Sequence, residues 1–154
     1  MPILSFFSLR AFRHLLAVTA VTVLAAPPAL GASAEIAPNE AQTRASAGEL
    51  TLVDVRTPEE WRETGLARGA IPIDMQHPDG ADGFVGAVLE QVGGDRDAPI
   101  ALICRSGNRS LKMQRLLEAR GFTNVRSVAE GMSGSSFGPG WISRGLPVVP
   151  CAKC

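Results

Sequence analysis

Histidine and cysteine are both scarce in this chain, with two of the first and three of the second in 154 residues. His14 lies in the N-terminal stretch, so His77 is the single histidine of the remainder. A Cys–His catalytic pair must therefore use His77 or not exist. His77 stands in a loop of Gly, Pro and Asp, where a solvated side chain is the default expectation. Net charge is missing as well: 15 Lys and Arg balance 15 Asp and Glu. No face is obviously basic, which argues against a nucleic-acid partner. Long apolar runs are also lacking. The N-terminal run from Leu15 to Ala26 covers 12 residues before Pro27 and Pro28, too short to span a bilayer comfortably. No internal repeat is present.

What stands at the N-terminus has its own order. Arg10 and Arg13 precede the apolar run, and Ala32-Ser33-Ala34 follows it. A basic start, an apolar middle and an A-x-A end are the marks of a secretory signal peptide. Residues 1–34 are expected to be that peptide, cleaved after Ala34 or after Gly31. The alternative is a retained anchor; after cleavage no stable membrane anchor is expected. The two arginines are not adjacent, so a twin-arginine signal is unsupported. They are the only charges in the segment, and the mature chain carries 13 basic and 15 acidic residues, a net of −2. The expected location is periplasmic or secreted, an oxidising setting. Cys104, Cys151 and Cys154 then leave at least one thiol unpaired in a monomer.

The stretch from Ile100 to Leu111 carries the chemistry. Ile100-Ala-Leu-Ile103 reads as a buried strand, and Ser110 to Arg120 reads as a helix. Between them lies Cys104-Arg105-Ser106-Gly107-Asn108-Arg109. A strand that delivers a cysteine to a helix N-terminus places a nucleophile in an anion site, because unpaired N–H groups and the helix dipole favour negative charge there. The thiolate is the reactive form.

The other elements follow in order. Ala37-Pro38-Asn39-Glu40 is expected to open a helix that Gly48 ends, with Asn39 able to cap it and Gln42 three residues on. Glu49 to Val55 reads as a buried strand that delivers Asp54 and Arg56. Thr57-Pro58-Glu59-Glu60 is a capping box with proline at the first helical position. Gly69 to Asp74 reads as a turn and an edge strand. Met75 to Gly83 is a loop, and Asp82 is expected to cap a helix with apolar positions Phe84, Val85, Val88, Leu89 and Val92. A last strand spans Asn124 to Val128. A Gly/Ser-rich loop runs from Glu130 to Gly140, and Trp141 to Arg144 form one helical turn. Strands alternating with helices specify an α/β domain, residues 35–150, around a parallel sheet covered by helices. Ligands bind such sheets at the carboxyl ends of the strands, where Cys104 sits.

At these residues the chain resembles the rhodanese family of sulfurtransferases. Leu52-Val-Asp54-Val-Arg56-Thr-Pro-Glu-Glu-Trp61 is similar to the family's first signature, and Cys104 to Ser110 to its active-site loop. Gly65 to Pro72 resembles the family's Gly-His-Ile stretch, with Leu66 at the histidine position. Gly121 through Gly131, Trp141 and Gly145-Leu-Pro147 resemble the closing stretch. The resemblance implies a three-layer fold with a mostly parallel five-stranded sheet. It implies a Cys104 that takes sulfane sulfur from a small donor such as thiosulfate, as a persulfide, and passes it to a thiol or other nucleophilic acceptor, which includes a protein thiol. Backbone N–H groups from Arg105, Ser106, Gly107, Asn108, Arg109 and Ser110 would cradle the persulfide. Neither cofactor nor metal is implied.

Physical chemistry agrees with that loop. Gly107 permits the turn that aims several donors inward. Arg105 and Arg109 suit an anionic donor, and Asp54 is placed to brace one of the two. A cysteine phosphatase or arsenate reductase is the rival, but its loop is one residue longer than the four between Cys104 and Arg109. Two readings from other classes remain: a non-enzymatic carrier or sensor of sulfane sulfur, and a thiol–disulfide partner protein using Cys151 and Cys154. Those two cysteines, residues 151–154, form a tail that reads as a plain disulfide, a redox pair or half a metal site. The Glu130–Gly140 loop follows a strand end, where it could border the pocket.

Overall fold

The computed structural model describes residues 34–154. The expected signal peptide, apart from Ala34, lies outside the described residues. Among the described residues no helix is long and apolar enough to cross a membrane.

Four parallel strands form the central sheet: β1 (Thr51–Asp54), β3 (Ile71–Pro72), β4 (Ile100–Ile103) and β5 (Val125–Ser127), in the order β3-β1-β4-β5. The register sets Asp54 beside Ile103 and Leu102 beside Ser127. The sheet has four strands where five were expected, and one parallel bridge between Glu35 and Ser127 extends it beyond β5. The chain pairs there through the Ala34 carbonyl and the Ile36 N–H. It then turns into α1 (Pro38–Ser46).

Successive strand residues point to opposite faces, and the core divides accordingly. Val53, Val55, Ile100, Leu102 and Cys104 face one cluster, completed by Phe84, Val88, Met113 and Leu117. These come from α3 (Gly80–Gln91) and α4 (Asn108–Ala119). Leu52, Ala101 and Ile103 face the other cluster, with Ala41 of α1 and Trp141 of α5 (Gly140–Ser143). Each fully buried Leu, Ile or Phe side chain contributes about 1.5–3 kcal/mol, so both faces hold the sheet.

Three boundaries differ from expectation. Pro38 occupies the first position of α1, and Ala37 rather than Asn39 precedes the helix. The fixed φ of proline suits that place, and Asn39 falls inside. The third helix begins at Gly80, after Asp79, so Asp82 lies in its first turn. The fourth begins at Asn108 rather than Ser110, directly behind Gly107. A second sheet was not foreseen: β2 (Leu66–Ala67) pairs antiparallel with β6 (Val148–Val149). The helix α2 (Pro58–Thr64) starts at the expected capping box, where the Thr57 N–H donates to Glu60 Oε2 at 3.1 Å.

Candidate active site

The strand order reverses between β1 and β4. From β1 the chain passes to β3 on one side, and then crosses to β4 and β5 on the other. The crevice at such a switch point is where open α/β sheets bind ligands. Asp54 and Arg56 lie at the end of β1, and Cys104 at the end of β4.

Cys104 is 1% exposed and is the free cysteine of the described residues. The Gly107 N–H donates to its Sγ at 3.2 Å. Ser110 Oγ lies 3.6 Å from the sulfur and donates to the Gly107 carbonyl at 2.8 Å. Ser127 Oγ, at the end of β5, is 2.8 Å from Ser110 Oγ and fixes that hydroxyl. Gly107 turns with φ +90°, a conformation that costs other residues dearly. It delivers the sulfur to the N-terminus of the 12-residue α4, whose first turn carries no acid. The unpaired N–H groups and the dipole there favour a thiolate or persulfide anion.

The loop is gripped from behind. Met132 N–H donates to the Cys104 carbonyl at 2.8 Å, and Ser133 N–H to the Arg105 carbonyl at 2.9 Å. Gly131 allows this closeness, since a Cβ there would stand 2.5 Å from the Arg105 oxygen. The start of the Glu130–Gly140 segment is therefore a wall of the site.

The two loop arginines part company. Arg109 is bound by Glu60 of α2 through two hydrogen bonds, both 2.6 Å. Glu60 also accepts from the Thr57 N–H, as the capping box requires. The hydrogen bonds from Arg109 hold the Glu60 carboxyl below its ordinary range, and the same bonds raise Arg109. Arg105 is exposed, with no ion pair among the described residues. It is the cation left for an anionic ligand. Asn108 is exposed and Ser106 partly so, both on the loop's outer side.

The expectation that Asp54 braces a loop arginine is corrected. Asp54 and Arg56 are fully buried and pair with each other at 2.7 Å. Residues two apart on an extended chain share a face, so the nearer arginine wins. Arg56 also donates to Thr64 Oγ1 and to the Gly65 carbonyl, each at 2.7 Å. This buried pair ties β1 to the end of α2, and α2 in turn holds Arg109. Arg56, Glu60, Glu63, Thr64, Arg105 and Ser133 line a small cavity on that flank.

Glu60 and Ser127 were not singled out from the sequence. Glu60 was absorbed by its capping role, and its partner lies 49 positions away. Ser127 carried no signal beyond its place on a strand. The hydrogen bonds of the Cys104 sulfur go to Gly107 and Ser110 and not to His77, whose Nδ1 accepts from the Asp79 N–H at 3.2 Å. Cys151 and Cys154 are joined by a disulfide, which leaves neither free to bind a metal.

Comparison with known proteins falls in line with this geometry. The chain is similar to a sulfurtransferase of Allochromatium vinosum, 31% identical over 108 residues, covering 70% of this chain and 86% of that one. It is similar to the chloroplastic thiosulfate sulfurtransferase 16 of Arabidopsis thaliana, 39% identical over 100 residues, 62% of this chain and 76% of that one. The crystal structure of Rv0390 from M. tuberculosis superposes with a TM-score of 0.60 at 28% identity, over 76% of this chain and 97% of that chain. Residues 37–136 match the Rhodanese-like domain, and the chain belongs to that family.

Proposed function

We propose that the protein is a sulfurtransferase that moves sulfane sulfur from a small donor such as thiosulfate to a thiophilic acceptor through a persulfide on Cys104. The observation that carries this reading is the Cys104 sulfur itself, buried at the base of the β4–α4 loop with the Gly107 N–H on it at 3.2 Å. The Cys104 thiolate attacks the outer sulfur of thiosulfate. The sulfur–sulfur bond of the donor breaks, and sulfite leaves with its electron pair. The persulfide anion then occupies the loop, where N–H donors and the start of α4 stabilise it. An acceptor nucleophile takes the outer sulfur and returns Cys104 as thiolate. Arg105 attracts the anionic donor; Arg109, held by Glu60, keeps the loop closed. The segment 1–34 supports export, so we place this chemistry in the periplasm or outside the cell.

The test is to incubate the mature protein with thiosulfate and weigh it intact. The wild type is expected to gain one sulfur atom and Cys104→Ser none. A wild type that gains nothing, or a variant that gains as much, sinks the reading.

A further inference from the structure

The segment from Glu130 to Gly140 is built more firmly than a connection between β5 and α5 requires. At its root the Glu130 carboxylate takes both prongs of Arg144 at 2.7 Å each, and the Gly140 N–H at 3.0 Å. At its tip Ser135 and Gly138 exchange backbone hydrogen bonds of 2.9 and 3.2 Å. Ser135 Oγ donates to the Ala129 carbonyl at 2.9 Å and accepts from the Phe137 N–H at 3.1 Å. These bonds hold Phe137 outward, 65% exposed. Ile142 at 41% is the other large apolar side chain left in water among the described residues, and it lies on the helix this segment enters. Phe137 lines one cavity with Ser106, Gly107, Asn108 and Leu111, the flank of the Cys104 loop. An aromatic with few rotatable bonds, presented beside the loop that carries the cysteine, is what protein interfaces use as an anchor.

Two further facts choose the occupant. Cys104 is 1% exposed, so an accepting sulfur must project inward on a slender stem. Arg105 is exposed without an ion pair, so a carboxylate beside that stem meets a free cation. We propose that Phe137 is the docking anchor for a protein thiol acceptor whose cysteine projects between an apolar and an acidic neighbour. The inference rests on the persulfide reading of Cys104. In the transfer step the partner's thiolate attacks the outer persulfide sulfur. A sulfur–sulfur bond forms to the partner, the one to Cys104 Sγ breaks, and its electron pair stays on Cys104 as thiolate. No other oxidant or reductant is needed.

The probes are two reduced synthetic peptides and cyanide. One peptide sets its cysteine between a leucine and a glutamate; the other replaces the leucine with serine. The wild type is expected to prefer the leucine peptide by about tenfold in kcat/KM, the size of one interface anchor. Phe137→Ser is expected to erase that preference through KM and to lower the peptide-to-cyanide ratio of kcat/KM by a similar factor. Phe137→Leu is expected to retain most of both. A wild type that loads with sulfur yet treats the two peptides alike overturns the docking inference alone. So does a Phe137→Ser variant whose loss is the same for peptide and cyanide. A wild type that takes up no sulfur overturns this inference together with the function it rests on.

Discussion

At Gly107 the backbone turns through φ +90°, and a Cβ there would stand 2.2 Å from the Ala129 carbonyl oxygen. The neighbour is backbone in the wall behind the loop, which has little room to yield. Gly107→Ala is therefore expected to lose at least about 2 kcal/mol, from positive-φ strain and displacement of that wall. The same shift moves the N–H that meets the Cys104 sulfur, so sulfur uptake falls with stability. Urea unfolding and intact mass after thiosulfate treatment check both; an alanine variant that matches the wild type would refute this account of the turn. At this scale the sequence was readable where the chemistry is local. Cys104 to Ser110 is one continuous stretch, and its turn and its cysteine are written there, although the helix starts two residues before the expected Ser110. Asp54 and Arg56 were legible too, because their period of two puts them on one face. Assigning Asp54 to a loop arginine overlooked that period. Glu60 and Ser127 reach the site only through folding, and nothing in their neighbours announces it.

Among the elements, α2 carries more than its length suggests. Its seven residues offer Trp61 to the interior, Thr64 to Arg56 and Glu60 to Arg109. The capping box fixes the helix start, and the same carboxylate fixes the loop. Glu60→Gln keeps the shape and removes the charge, leaving Arg109 partly unpaired. The expected loss is about 1–2 kcal/mol at pH 7, less than for a fully buried charged pair because both side chains retain some exposure. Its pH dependence has a fixed sign. The folded carboxyl is held below its unfolded value by Arg109, so its contribution is complete above the unfolded value near about 4.3. It is lost as pH falls through the lower, folded value. The gap in urea stability between wild type and Glu60→Gln is thus expected to persist from pH 7 to about pH 5 and to narrow toward about pH 3. A gap that widens in acid would contradict the pairing. The strands and most helices were legible because apolar runs, a capping box and helical spacing are repeated signals. The two-residue strands β2 and β6 were not: a pair so short has no period, and its partners lie 81 and 83 positions apart. The start of α1 shifted because proline at a first helical position outweighs an asparagine cap one residue on.

For the molecule as a whole, the remaining question is what the tail does. It runs as β6 along β2, with Leu66 opposite Val149 and Ala67 opposite Val148. It ends in the Cys151–Cys154 disulfide, and Arg62 of α2 donates to the Cys154 carbonyl at 2.5 Å. Arg62 stands two residues from Glu60, about 200° around the helix. The tail thus meets α2 on the side turned away from Arg109 and the Cys104 loop. That placement favours a staple over a relay for sulfur or electrons. The staple is a small one, because the two cysteines are three positions apart. Closing so short a ring removes little freedom from the unfolded chain, at most about 2 kcal/mol. A Cys151→Ser, Cys154→Ser double variant is therefore expected to lose no more than that in urea. It is expected to pass sulfur from Cys104 to cyanide at the wild-type rate. Stopped-flow measurement of sulfur release from the preloaded protein reads this directly. Slower release in the variant, at unchanged stability, would bring the pair into the chemistry and overturn the staple.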